Sequence, residues 1–249
     1  MSTALPPTAR TDRPDTVTWG ADPYADALRS GRGPLFLRRS DGWLLPLEVE
    51  RWCAGPDAAD LSALRRCEGA VLDIGCGPGR LVAALAARGR RALGIDVSTA
   101  AVARTAASGG SALHRSVFDS LPGEGSWGTA LLLDGNIGIG GDPRALLART
   151  AELVGRTGLL IVETAAADVD ERVQVRVERG YHPSPGAPCA PGESFPWARV
   201  GAAALLRHAA AAGWTPVEEW TVTDQADQAP GAARCFVSLR RRGAPHSRR

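Results

Sequence analysis

The chain has 249 residues, 44% of them hydrophobic, and a formal net charge of +2. That length accommodates one α/β domain with a sizeable core plus a few added elements. No apolar run approaches the roughly 20 residues that span a bilayer, and the start MSTALPPTARTDRPD is polar and proline-rich without a signal-peptide core, so a cytoplasmic protein without membrane contact is expected. All 29 basic side chains are arginine. The absence of lysine excludes pyridoxal-phosphate enzymes and P-loop nucleotide triphosphatases, which both need one. Together with abundant Ala, Arg, Gly and Pro it points to a high-GC bacterial source. The five cysteines (Cys53, Cys67, Cys76, Cys189, Cys235) are scattered and form no CxxC pair, so neither a disulfide framework nor a metal site is indicated. The one dense basic cluster, Arg240 to Arg242 with Arg248 and Arg249, reads as a solvated tail, and no nucleic-acid partner is expected.

Residues 1–17 lack hydrophobic periodicity and are expected to be disordered. Asp22-Pro23 opens a short helix through Ala25 to Leu28 that stops at Gly31 and Gly33. Leu35 to Arg38 and Trp43 to Leu45 flank Ser40-Asp41-Gly42, a hairpin signal, and a second helix runs from Leu47 to Cys53. These elements make an N-terminal cap over 18–68. From Ala70 onward, strands are expected at Val71 to Ile74, Arg91 to Ile95, Ala112 to Val117, Thr129 to Leu133 and Gly158 to Val162. Helices alternate with them at Arg80 to Arg88, at Ser98 to Ser108 and from the Asp142-Pro143 cap through Leu153. That alternation predicts parallel βαβ units in an open sheet with helices on both faces. After Glu163 the rhythm breaks. Val173, Val175 and Val177 alternate with polar residues as a strand, and Gly180 to Pro196 is too rich in breakers for regular structure. A helix over Arg199 to Ala212 and strands at Val217 to Val222 and Arg234 to Leu239 follow. The main domain is thus 69–240, interrupted by an insertion at 165–199 and followed by a disordered basic tail, 241–249.

Gly75-Cys76-Gly77-Pro78-Gly79 lies where a strand hands over to a helix, a setting in which glycines permit a sharp turn and close approach of a nucleotide. Arg80 stands where the GxGxxG of a dinucleotide site needs its third glycine. Asp73 precedes the turn by two residues. Asp96 ends the second strand, where a carboxylate can accept bonds from both ribose hydroxyls. Asp119 follows the third strand, where an adenine edge would fall; a helix cap is its alternative role.

In this order VLDIGCGPGR, ALGIDVS, SVFDSLP, LLLDGNIGIGGDP and LLIVET resemble the successive motifs of class I S-adenosylmethionine (SAM) dependent methyltransferases, over roughly 69–240. The resemblance implies an α/β, Rossmann-like fold: a seven-stranded, mostly parallel sheet with helices on both faces, whose last strand, near Cys235 to Leu239, is antiparallel. It implies that Gly75, Cys76, Gly77 and Gly79 pass under the methionine part of SAM and that Asp73 orients its ammonium group. Asp96, with Val97 beside it, would hold the ribose, Phe118 and Asp119 would meet the adenine, and Asp134 and Asn136 would face the cofactor. No metal is implied.

Ligands bind at the carboxyl ends of parallel strands, so the loop Asp134 to Gly141, the insertion and the N-terminal cap should form the acceptor side. The glycines of that loop suggest backbone close to the cofactor or the acceptor. The loop lacks the (Asp/Asn)-Pro-Pro-(Tyr/Phe) sequence of many base-modifying enzymes, so support for nucleic-acid methylation is lost. Methyl transfer is an in-line displacement that depends chiefly on positioning and needs a base only if the acceptor arrives protonated. Candidate bases are His182, Asp134 and Tyr24, followed by Tyr181 and Glu163. Trp19, Trp43, Trp197 and Tyr181, with Phe36 and Phe195, either line a substrate pocket or simply pack the cap. The expected activity is methyl transfer to a small-molecule acceptor of specialised metabolism. The alternatives are a nicotinamide-dependent oxidoreductase, disfavoured by Arg80 and the missing lysine, and a non-catalytic SAM-binding protein. The accepting atom, the use of a base and the oligomeric state are left open.

Overall fold

The computed structural model describes residues 23–180, 193–223 and 233–242. The N-terminal segment holds α1 (Pro23–Ser30), the hairpin β1 (Leu35–Arg39) and β2 (Leu44–Leu47), and the short α2 (Val49–Cys53). A further helix, α3 (Ala58–Arg66), is absent from the sequence-based expectation. It starts at a capping box: Asp57 accepts from the Asp60 backbone N–H, and the Asp60 side chain accepts in return from Asp57.

The regular part then runs β3 (Val71–Ile74), α4 (Arg80–Ala86), β4 (Ala92–Asp96), α5 (Thr99–Ala107), β5 (Ala112–His114), β6 (Trp127–Leu132), α6 (Pro143–Leu153) and β7 (Val154–Thr164). Caps fix the helix starts as expected. Ser98 accepts from Ala101 N–H at the head of α5, and Asp142 accepts from the N–H groups of Arg144 and Ala145 at the head of α6. After β7 come β8 (Asp170–Arg179), β9 (Phe195–Val200), α7 (Ala202–Ala211), β10 (Trp214–Thr223) and β11 (Ala233–Arg241).

Seven strands form the main sheet in the order β10-β11-β7-β6-β3-β4-β5. The pairs from β7 to β5 are parallel, and β11 lies antiparallel between β7 and β10. The reversed last strand therefore sits inside the sheet, and it continues through Arg241, one residue into the expected tail. Both faces are covered, so the central strands are apolar at consecutive positions rather than alternate ones. Leu72, Ile74, Leu160 and Val162 pack with Leu146 and Leu147 of α6 and Leu205 of α7. Val71, Leu131, Leu159 and Ile161 pack on the opposite side with Ala63 and Leu64 of α3 and Leu81 and Leu85 of α4. Thus α3 belongs to the main sheet and not to the cap.

The cap and the insertion form one unit. β1 and β2 from the N-terminal segment join β8 and β9 in a four-stranded antiparallel sheet of order β2-β1-β8-β9. Leu35, Leu37, Val175, Val177 and Phe195 line one face of it against Ala27 of α1 and Val49 of α2. β9 replaces part of the expected irregular stretch and the first turn of the expected helix. As an edge strand it tolerates Pro196, whose missing N–H masked the alternation of Phe195 and Trp197.

Candidate cofactor and acceptor site

The turn after β3 is held in the left-handed region at Gly75, Gly77 and Gly79, with φ of 71°, 53° and 83°. Glycine adopts that region without the Cβ clash of other residues. Below the turn the packing is tight: a side chain at Gly79 would strike Thr105. A Cβ at Gly77 would meet only the Tyr24 hydroxyl, 3.6 Å away, so this part of the turn faces the cleft below α1. The Cys76 side chain turns inward against Gly94 and Thr105, and burial pushes its thiol far up. Only its backbone is left to meet a ligand.

Asp96 fastens the turn from the end of β4. Its Oδ2 accepts from Gly77 N–H at 2.9 Å and its Oδ1 from Ser98 N–H at 2.8 Å. Each oxygen keeps a lone pair for a further donor. The neighbouring Val97 carbonyl is 2.8 Å from Nε2 of His114. Beyond β5, Asp119 Oδ2 accepts from Ser116 N–H at 3.1 Å, which closes a tight turn and leaves Phe118 47% exposed beside Gly140. Asp119 thus has a turn-forming role of its own.

Asp73 is incompletely satisfied. It is only 2% exposed, and its Oδ2 has no hydrogen-bond partner. Burial, reinforced by Asp134, Asp60 and Asp96, pushes its pKa up to about 7 in spite of Arg80. An unpartnered buried carboxylate oxygen under a glycine turn suits a ligand that brings a positively charged donor.

Asp134 is held by arginines. It has φ of 56°, a left-handed conformation that Asp tolerates. Arg80 Nη1 lies 2.8 Å from its Oδ2, Arg51 Nη2 donates to Oδ1 at 2.8 Å, and Arg234 Nη2 is 3.5 Å from Oδ1. Burial raises its pKa, but Arg80, Arg51 and Arg234 outweigh that and hold the carboxyl far below the usual range. A carboxylate so held is a poor proton acceptor, which corrects the expectation of Asp134 as a base. Glu163 is also engaged, forming a two-pronged pair with Arg234 at 2.8 and 2.7 Å and accepting from Asp134 N–H. The fully buried Asp60 completes the cluster, taking Arg80 at 2.7 and 2.9 Å and Arg234 at 2.9 Å. Sequence reasoning saw Arg80 only as a missing glycine; here it is the pillar under the turn. Its partners lie up to 54 residues away, so no local signal reveals them.

Asn136 is pinned to the turn as well, its Nδ2 donating to the carbonyls of Ile74 and Gly75 at 2.9 Å each. The glycines that follow it serve the small sheet more than a ligand. A Cβ at Gly138 would collide with the Ala198 carbonyl and lie 2.5 Å from the Trp197 ring, and one at Gly141 would lie 2.6 Å from Pro196. Ile139 forms a β-bridge with Trp197. The loop therefore docks β9 onto the end of β6.

Of the aromatic residues, Tyr24, Trp52, Phe195 and Trp197 share one cluster, with edge-on contacts between Tyr24 and Trp52 at 6.4 Å and between Phe195 and Trp197 at 6.2 Å. Trp52 was not among the sequence-derived candidates; α2 is so short that its facing is not legible. Trp43 lies outside this cluster, stacked by Arg199 at 4.7 Å and Arg39 at 5.7 Å, which argues against a role in binding substrate. Trp19, Tyr181 and His182 fall outside the described residues. Among the described residues no cluster suited to a metal ion occurs, and no helix is long and apolar enough to cross a membrane.

Residues 71–158, the span from β3 through α6 into β7, match the family model described as a methyltransferase domain. That span resembles a methyltransferase domain. No curated protein matches the chain. Among solved structures, a SAM-dependent methyltransferase from Bacteroides fragilis, in complex with S-adenosylhomocysteine, is 18% identical with TM-score 0.66, covering 90% of this chain and 94% of that one. The CcbJ methyltransferase from Streptomyces caelestis is 18% identical with TM-score 0.58, covering 92% and 100%. The 1,6-didemethyltoxoflavin-N1-methyltransferase of Burkholderia thailandensis, with bound 1,6-didemethyltoxoflavin and S-adenosylhomocysteine, is 20% identical with TM-score 0.52, covering 74% and 76%. At these identities the likeness is one of fold: the chain shares their Rossmann-like architecture.

Proposed function

We propose that this protein transfers the methyl group of SAM to a small-molecule acceptor held under the four-stranded sheet. The unpartnered Oδ2 of Asp73 carries the reading. The α-ammonium of SAM would satisfy it, whereas a dinucleotide pyrophosphate would bring negative charge to a turn already flanked by Asp73 and Asp96. Arg51 Nη1 is likewise buried without a hydrogen bond and suits the carboxylate at the same end of SAM. Asp96 would take the ribose hydroxyls, and Phe118 and Asp119 the adenine.

When bound, SAM supplies an electrophilic methyl group on a positively charged sulfur. The protein's share is to fix that group by the glycine turn, to exclude water with the cap, and to align the acceptor. Tyr24 is the described candidate for contact with a reacting hydroxyl or amine, because its phenol lies beside Gly77. The small-molecule acceptor class is supported by the enclosing cap and by the 1,6-didemethyltoxoflavin bound to the Burkholderia thailandensis structure. Calorimetric titration with S-adenosylhomocysteine and with NAD tests the reading: micromolar binding of the first and none of the second is expected, and the reverse would overturn it.

A further inference from the structure

The aromatic cluster beside the glycine turn has a property that the fold does not require. Nε1 of Trp52 is buried, yet it finds no acceptor. A buried N–H left unpaired is costly, and native structures satisfy nearly all such groups. Trp52 makes an edge-on contact with Tyr24, whose hydroxyl overlies Gly77, and both pack in one cluster with Phe195 and Trp197. Trp197 in turn bridges to Ile139 in the loop after β6. Tyr24 and Trp197 thus place the cluster beside the loops at the carboxyl ends of the parallel strands, where the acceptor of a methyltransferase must lie.

We infer that the acceptor is a flat, aromatic or heteroaromatic molecule without positive charge, which places a hydrogen-bond-accepting atom on Trp52 Nε1; this rests on the methyltransferase reading above. Two observations select that class over a cationic amine, which aromatic rings also attract. An ammonium group has no lone pair to offer the indole N–H. Among the described carboxylates at the strand ends, Asp134 and Glu163 are committed to Arg51, Arg80 and Arg234, and Asp73 and Asp96 are taken by the cofactor in the reading above, which leaves none of them for a cation arriving beside a sulfonium.

The test uses the full chain labelled with ¹⁵N-tryptophan and saturated with S-adenosylhomocysteine. The Trp52 indole signal is assigned by its loss in Trp52→Phe or, should that variant not fold, in Trp52→Tyr. Titration with 8-hydroxyquinoline is expected to move this signal and to bind more tightly than phenethylamine. Trp52→Phe should weaken 8-hydroxyquinoline binding about 10-fold, the value of one hydrogen bond, and leave the affinity for S-adenosylhomocysteine within about twofold. An unmoved Trp52 signal, or a preference for phenethylamine, overturns the inference. Failure of the wild-type chain to bind S-adenosylhomocysteine would instead overturn the methyltransferase reading itself.

Discussion

The Oδ2 of Asp96 accepts a hydrogen bond from the backbone N–H of Gly77 at 2.9 Å, so the end of β4 holds the middle of the glycine turn that follows β3. One carboxylate therefore shapes the turn and, in the proposed function, receives the ribose. Asp96→Ala should weaken S-adenosylhomocysteine binding by about 2 kcal/mol, measured by calorimetry. Asp96→Asn should also weaken it, because an amide nitrogen would face one of the two N–H groups. Unchanged affinity in both variants would remove Asp96 from the site.

Asp73 makes cofactor binding and stability depend on pH in opposite senses. Its pKa in the folded chain, about 7, lies above the ordinary 3.8, so between those values the folded state holds a proton that the unfolded state has lost. Stability of the ligand-free protein from this group is greatest at low pH and declines as pH rises through about 7. Affinity for S-adenosylhomocysteine should rise over the same range, because its ammonium prefers the ionised carboxylate. Melting temperatures and titrations from pH 5.5 to 8 read both trends, and Asp73→Asn should flatten them.

The buried arginine cluster predicts a large cost for losing one member. Asp60 is fully buried and holds both Arg80 and Arg234. Asp60→Ala should destabilise the fold by about 3–5 kcal/mol, since it removes a buried carboxylate shared by two buried guanidinium groups that keep only their remaining partners. Denaturant unfolding measures this; a cost below about 1 kcal/mol would mean that the cluster reorganises around water.

Gly138 should tolerate no side chain. Gly138→Ala would press a methyl group into the Ala198 carbonyl and the Trp197 ring. A loss of about 1–3 kcal/mol is expected, with faster proteolysis of the β8–β9 pair. If stability and protease resistance match the wild type, β9 does not dock on this loop.

Much of the fold was legible because its signals are local. The run Val71 to Ile74, the left-handed glycines and the caps Ser98 and Asp142 each act within a few residues, and the structure places them as read. What was missed depends on distant partners. β9 owes its existence to pairing with β8, and its proline concealed the pattern. The loop from Gly138 to Gly141 looked like a ligand cradle because close approach of backbone leaves the same glycine signature whether the neighbour is a ligand or a strand. Asp134 looked like a base until its arginines were seen, and Trp52 was passed over because five helical residues carry no periodicity.

Arg234 ties the buried charge cluster to the pairing of β11. It sits at the start of β11, and that strand must slot between β7 and β10 before its guanidinium can reach Asp57, Asp60 and Glu163. A growing chain that has not yet emitted residue 234 leaves three carboxylates of the cluster without their shared cation. Formation of β11 and completion of the buried charge cluster are therefore one event, and a chain that lacks β11 also lacks the guanidinium shared by Asp57, Asp60 and Glu163.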